Sequence, residues 1–267
     1  MIKYIFTIST GRTGTHYLSK LFQHIEGCKS YHEPIPIMHS KVMRQFLKGK
    51  TKLMEKKMPE KIDAINKLSE GAEVYFESNH MFIKGFGWYI PDYINPEEIG
   101  VLVITRKKEE IVASHIKLDA TPLHYKGWDW TITPLVDHNH AEFPAEYKFP
   151  KLLYYFYFLQ LKTLYRPWVN KLFGRPEDFK PGYIKKYEKA MLDWYIDETF
   201  KRGEQYFKTY PDIKHLEFDI TELNDPKTVE KIIKEFDLNV KIKPSFYEAL
   251  NKRTNLDPYA KNKLKIA

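Results

Sequence analysis

Apolar positions along this chain recur with two different periods. Short, mostly apolar runs at Ile2–Ile8, Val74–Ser78 and Val101–Thr105 are predicted strands, and Lys214–Phe218 is a fourth. Val101-Leu102-Val103-Ile104 is apolar throughout, as a strand covered on both faces of a parallel sheet must be. Elsewhere the spacing is helical. Tyr17, Leu18, Leu21, Phe22 and Ile25 form one such stripe, ended by Gly27. Lys41–Leu68 is lysine-rich and helical in period, with a break expected at Pro59. Further helices are predicted at Glu109–Ile116, Leu152–Tyr165, Met191–Phe207 and Thr228–Phe236, the last started by Asp225-Pro226. Strands alternating with helices predict an α/β fold, a three-layer sandwich with a central parallel sheet.

The rhythm fails between residues 119 and 150. Four prolines, His124, His138, His140, Trp128 and Trp130 leave no period there. A loop of this length inside a domain is a place to expect function. At 267 residues the chain is expected to be one domain, with 119–150 as an acceptor-site insertion and 251–267 as a basic tail.

Composition narrows the classes. A hydrophobic fraction of 43% with 15% aromatics excludes a disordered or collagen-like chain. One cysteine, Cys28, excludes an internal disulfide framework and a multi-cysteine zinc site. No apolar run reaches the ~18 residues a membrane helix needs. The N-terminus reads as a strand and not as a signal peptide, so a soluble, cytoplasmic protein is expected. The net charge of +8 comes mostly from lysine, since only seven basic residues are arginines. No zinc finger, RNP or helix-turn-helix pattern accompanies it, so no nucleic-acid partner is expected.

The chemistry begins at Ser9-Thr10-Gly11-Arg12-Thr13-Gly14-Thr15-His16. A strand, a glycine loop and a helix follow one another there. Glycines let successive N–H groups converge, and the helix adds its positive end, which makes a cradle for an anion such as phosphate. The kinase pattern G-x-x-x-x-G-K-[ST] is absent, because no lysine precedes Thr15. No aspartate ends Val101–Ile104 to hold magnesium. Arg106 follows that central strand, and Ser114 lies eight residues on in the next helix. A forked guanidinium and a hydroxyl are apt donors to a second phosphate.

Together, Thr10-Gly11-Arg12-Thr13-Gly14-Thr15 and Arg106…Ser114 resemble the two donor-binding motifs of sulfotransferases that use 3′-phosphoadenosine 5′-phosphosulfate (PAPS). Trp194-Tyr195 and Leu223-Asn224-Asp225-Pro226 are similar to the C-terminal half of that family. The resemblance implies the P-loop-containing nucleotide-hydrolase-like sulfotransferase fold and transfer of a sulfuryl group without a metal. It implies that Arg12 reaches the sulfate and that Thr13, Gly14, Thr15 and His16 hold the 5′-phosphate. Arg106 and Ser114 would hold the 3′-phosphate, which remains on the product PAP. Charge builds on the leaving bisphosphate as the S–O bond breaks, so donors aimed there favour the transition state.

The acceptor must lose a proton as it attacks sulfur, and a carboxylate or imidazole can take it. Glu33 in Tyr31-His32-Glu33-Pro34 is the first choice, by resemblance to the tyrosylprotein branch, and His32 is the second. Phe76-Glu77-Ser78-Asn79-His80 resembles the E-K-[ST]-P segment of carbohydrate sulfotransferases, with Ser78 in place of the lysine. Glu77 and His80 are therefore acceptor-site candidates, with Trp128 and Trp130 as aromatic walls. The family's C-terminal R-K-G lid is missing, and Arg253 in Asn251–Asn255 is its candidate substitute. Asp137, His138 and His140 offer metal ligands only superficially. The aromatic helix Lys151–Arg166 reads as core. The expected acceptor is a small molecule or glycan bearing a hydroxyl or amine. The rivals are a P-loop kinase or nucleotide-binding protein with a degenerate loop, and a non-catalytic nucleotide-binding protein.

Overall fold

Residue alternation along the strands divides the interior into two cores, one on each face of a sheet. The computed structural model describes residues 1–118, 120–122, 125–133 and 182–250. In chain order the strands are β1 (Tyr4–Ile8), β2 (Ile25–Glu26), β3 (Cys28–His32), β4 (Val74–Ser78), β5 (Ile99–Thr105), β6 (Lys214–Asp219) and β7 (Lys241–Ile242). The helices are α1 (Thr15–Phe22), α2 (Lys41–Leu47), α3 (Lys52–Ser69), α4 (Lys108–Lys117), α5 (Tyr125–Trp128), α6 (Gly182–Thr209), α7 (Pro226–Glu235) and α8 (Pro244–Ala249). Five parallel strands form the main sheet in the order β3-β4-β1-β5-β6, and β2 pairs antiparallel with β7.

Along β5, Ile99, Val101 and Val103 face one core, and Leu102 and Ile104 face the other. Phe6 and Ile8 of β1 oppose Ile5 in the same way. The first core is closed by Met43 and Leu47 of α2, Met54, Met58 and Ile65 of α3, and Leu192 and Ile196 of α6. The second is closed by Leu18, Leu21 and Phe22 of α1 and by Val229 and Ile232 of α7. The architecture is thus α/β, with a central parallel sheet between helices. No helix among the described residues is long and apolar enough to cross a membrane.

Two expectations need correction. The 41–68 segment does not break at Pro59. It breaks at Gly49, whose φ of 73° lies in the left-handed region, and α3 runs through the proline. Pro59 is exposed, and the buried stripe Met54, Met58, Lys61 and Ile65 anchors the helix on both sides of the lost hydrogen bond. The second concerns β3, which no apolar run announces in Cys28-Lys29-Ser30-Tyr31-His32. As an edge strand it has one neighbour, and polar contacts support it: the Ser30 hydroxyl donates to the Ser19 carbonyl at 2.7 Å. The predicted helix Leu152–Tyr165, the Lys151–Arg166 aromatics, His124, Asp137, His138, His140 and Arg253 lie outside the described residues.

After β1 the chain builds β3 and β4 on one side, then crosses to β5 and β6 on the other. Parallel sheets open a crevice at such a switch, beyond the carboxyl ends of the strands. Arg12, Glu33, His80 and Arg106 each follow the end of a different strand there.

Candidate active site

A cavity of about 810 Å³ occupies that crevice. One side is the glycine loop. Gly11, Arg12 and Gly14 hold φ of 79°, 60° and 82°, all left-handed. Arg12 pays a steric penalty for this, since only glycine adopts such angles freely. A Cβ on Gly14 would lie 2.6 Å from Ile220 Cγ1, so the loop also needs glycine for space. Gly14 precedes α1 and no side chain caps the helix. Thr15 and His16, at the start of α1, line the cavity, so the positive end of the helix lies at its rim.

Arg106 joins this loop directly. Its Nη1 donates to the Arg12 carbonyl at 3.0 Å, while its Nε pairs with Glu110 at 2.7 Å. Arg12 Nε donates to Ser114 Oγ at 3.1 Å. Two guanidiniums thus stand side by side. Burial lowers the Arg12 pKa first, and the charge of Arg106 lowers it further. A shared anion would relieve that repulsion. The side chain of Thr13 is buried with its hydroxyl unpartnered, so only its backbone N–H can serve the cavity.

The opposite side holds Glu33, His32 and His80, and its polar order can be read atom by atom. Lys84 is fully buried, and its Nζ meets His80 Nδ1 at 2.7 Å, the Trp130 carbonyl at 2.8 Å and Tyr195 Oη at 2.5 Å. The Tyr195 hydroxyl spends its one proton on the Thr10 carbonyl. All three atoms around Lys84 therefore act as acceptors, which matches the three N–H bonds of an ammonium. Burial works the other way and pushes this lysine well below its ordinary value. Because His80 Nδ1 accepts, its Nε2 carries the proton and donates to Glu33 Oε1 at 3.1 Å. Burial, seconded by Lys84, holds His80 down at about 4, so the ring is neutral at neutral pH. Burial alone would raise Glu33. The hydrogen bond from His80 and the positive neighbours outweigh it, and the carboxyl falls to about 2 and is ionised. Glu33 adopts φ of 50°, a strained conformation at the end of β3.

His32 Nδ1 lies 3.1 Å from the Ser78 carbonyl, which can only accept. The proton of the neutral ring therefore sits on Nδ1, and Nε2 is bare. Burial lowers the His32 pKa, with Glu33 opposing. Nε2 stands 4.0 Å from Glu33 Oε2. His115 follows the same pattern. Its Nδ1 donates to the Ala120 carbonyl at 2.9 Å, its buried Nε2 has no partner, and burial lowers the ring to about 3.

The structure thus brings Arg12, Gly14, Thr15, His16, His32, Glu33, His80, Arg106 and Trp130 to one cavity. Thr13 and Ser114 do not line it themselves, Ser114 being joined to it through Arg12, and two further candidates lie elsewhere. Glu77 is fully buried between β4 and α3. Its Oε1 accepts from Lys61 at 2.6 Å and Asn79 at 2.8 Å, and its Oε2 accepts from Tyr75 at 2.7 Å. It closes a core contact and is corrected from acceptor-site residue to structural carboxylate. Trp128 lines a separate groove of about 320 Å³, with the Arg44 guanidinium 4.2 Å from its ring centroid. Its carbonyl accepts from Arg44 Nε at 2.7 Å, and the Thr131 carbonyl accepts from Arg44 Nη2. Trp128 therefore anchors the cavity wall from behind and is not part of its face.

Sequence reasoning did not single out Lys84, His115, Asp129 or Arg44. Lys84 could have been suspected from its place four residues after His80. The others depend on how distant segments meet. No group of three or more metal-ligating side chains occurs among the described residues. No protein-family model, no curated protein and no solved structure matches this chain.

Proposed function

We propose that the protein is a PAPS-dependent sulfotransferase with the P-loop-like fold of that family. It transfers the sulfuryl group to a hydroxyl or amine of a small-molecule or glycan acceptor. One observation carries the reading. Two motifs far apart in the chain are hydrogen-bonded into one cationic rim, Arg106 to Arg12 and Arg12 to Ser114, and Glu33 faces it within the same cavity. The residues present suit a donor with two anionic ends. Gly14 has no room for a side chain, no side chain caps the start of α1, and Arg12, beside Arg106, has no carboxylate partner among the described residues.

Arg12 and the amides from Thr13 to His16 hold the sulfate and the 5′-phosphate, with the Thr15 hydroxyl. Arg106 holds the 3′-phosphate, with Ser114, which Arg12 Nε contacts, as the second donor. The guanidinium of Arg12 stabilises the charge left on the departing phosphate, where preorganised donors act most strongly. Glu33, ionised and oriented by His80, receives the acceptor's proton, with the bare Nε2 of His32 adjacent.

A panel of hydroxyl and amino compounds with sulfur-labelled donor tests this by mass spectrometry. Label is expected on an acceptor, with one PAP released per transfer. Glu33→Gln is expected to lower the rate by roughly 10²–10⁴-fold, the usual worth of a positioned base, with PAP binding kept. An unchanged rate in that variant, or donor that binds and is never consumed, would overturn the proposal.

A further inference from the structure

We infer that the acceptor is a primary amine, bound as its ammonium, and that the product is a sulfamate. The inference rests on the sulfuryl-transfer reading of the same cavity and concerns the half of it that faces Glu33. That half presents hydrogen-bond acceptors. Glu33 Oε1 is occupied by His80, but Oε2 takes no hydrogen bond from any described residue. His32 Nε2 is bare because Nδ1 is committed to the Ser78 carbonyl. The carboxylate of Asp129, which also lines the cavity, has no partner among the described residues. A ligand that brings several N–H groups can pair with these acceptors at once.

The spacing favours nitrogen over oxygen. Glu33 Oε2 and His32 Nε2 are 4.0 Å apart. A nitrogen at ~2.8 Å from both, an ordinary hydrogen-bond length, subtends ~90° between them, within the bending range of two tetrahedral N–H bonds. A hydroxyl has one proton and would leave its lone pairs against the second acceptor. Glu33 and Asp129 also supply negative charge, which attracts an ammonium.

Proton balance agrees. An amine arrives at neutral pH as R–NH3⁺ and leaves as R–NH–SO3⁻, so it loses two protons, whereas an alcohol loses one. His32 Nε2 takes the first, which exposes the nitrogen lone pair. The N–S bond forms as the bond from sulfur to the bridging oxygen breaks, and that electron pair leaves on the 5′-phosphate beside Arg12. The sulfonated nitrogen is strongly acidic, and its extra proton passes to Glu33 Oε2 and on to water. The net reaction releases PAP and two protons.

The test titrates PAP-saturated protein with amine and alcohol pairs of one skeleton, hexylamine against hexanol and glucosamine against glucose. The amine of at least one pair is expected to bind at least ~10-fold tighter than its alcohol, an increment of about 1.4 kcal/mol. Asp129→Asn should erase most of that preference while PAP affinity stays within ~2-fold of the parent, which shows that the variant is folded. Labelled turnover should place sulfur on nitrogen, as an alkali-stable, acid-labile product. No amine preference in any pair, whether from equal, reversed or undetectable binding, overturns the inference, as does label on oxygen. Failure of PAP itself to bind overturns the sulfotransferase reading instead, so the two failures are distinguishable.

Discussion

Lys84 sits in the core with its Nζ ringed by His80, Trp130 and Tyr195, and the order of the site depends on it. Its N–H to His80 Nδ1 decides which nitrogen of His80 carries the proton, and so which way the hydrogen bond to Glu33 runs. Lys84→Met keeps the length of the side chain and removes every donor. The Trp130 carbonyl, His80 Nδ1 and Tyr195 Oη then lose a partner each, and the first two are left without one there, at a cost of about 1–3 kcal/mol per buried group. A lower urea midpoint is expected, together with a slower turnover and unchanged PAP affinity; equal turnover would show that His80 is oriented by something else. Gly14 makes a separate demand. A Cβ there meets Ile220 at 2.6 Å and the φ of 82° penalises any L side chain. Gly14→Ala should weaken PAP binding by ~10-fold or more, since the left-handed conformation alone costs about 1–2 kcal/mol, and calorimetry reads this directly.

At the scale of elements, the strands and helices differ in how openly the sequence announces them. β1 and β5 are apolar runs because both faces are covered, and the loops after them carry Arg12 and Arg106; the two arginines are paired in the sequence only through the resemblance to sulfotransferase motifs, and their contact appears only in the fold. β3 was hidden because an edge strand is paired on one side and tolerates Lys29, Ser30 and His32. Glu77 misled for a related reason. It is two residues after Tyr75 on β4, so it shares that residue's face and meets α3, whereas His80 lies past the strand end and turns into the cavity. Lys84, Asp129 and His115 carry no local signal, because their roles arise where separate segments pack. The α3–β4 contact can itself be tested. Lys61 and Glu77 are both fully buried and 2.6 Å apart. Removing one partner leaves a buried charge, so Lys61→Met alone should cost about 3–5 kcal/mol. Combining it with Glu77→Gln should recover part of that in denaturant unfolding, and a loss under 1 kcal/mol for the single variant would contradict the buried pair.

For the whole molecule, the same histidines couple folding to pH. His80 and His115 ordinarily titrate near 6.5, and in the fold they fall to about 4 and about 3, chiefly through burial. Between those values the unfolded chain binds more protons than the folded one. Their contribution is therefore complete above pH 6.5 and is lost as pH falls toward 4, at about 1.4 kcal/mol per pH unit for each ring. Glu33 extends the loss, since its support is present above 4.5 and disappears toward 2. Urea midpoints should drop steeply from pH 6.5 to 4.5, and a flat profile would show that these rings are protonated in the fold. The net charge of +8 says little about the ligand, because it is spread over many lysines. The two arginines at the carboxyl ends of β1 and β5 say more, since they join one loop to one cavity. Calorimetric titration with PAP in the presence of a magnesium chelator, beside ATP with magnesium, tests that claim most directly. Tight, magnesium-independent binding of PAP that is weakened at least ~10-fold by Arg106→Ala, with poor binding of ATP, is the predicted result. Tighter binding of magnesium ATP, or PAP affinity indifferent to Arg106, would contradict it.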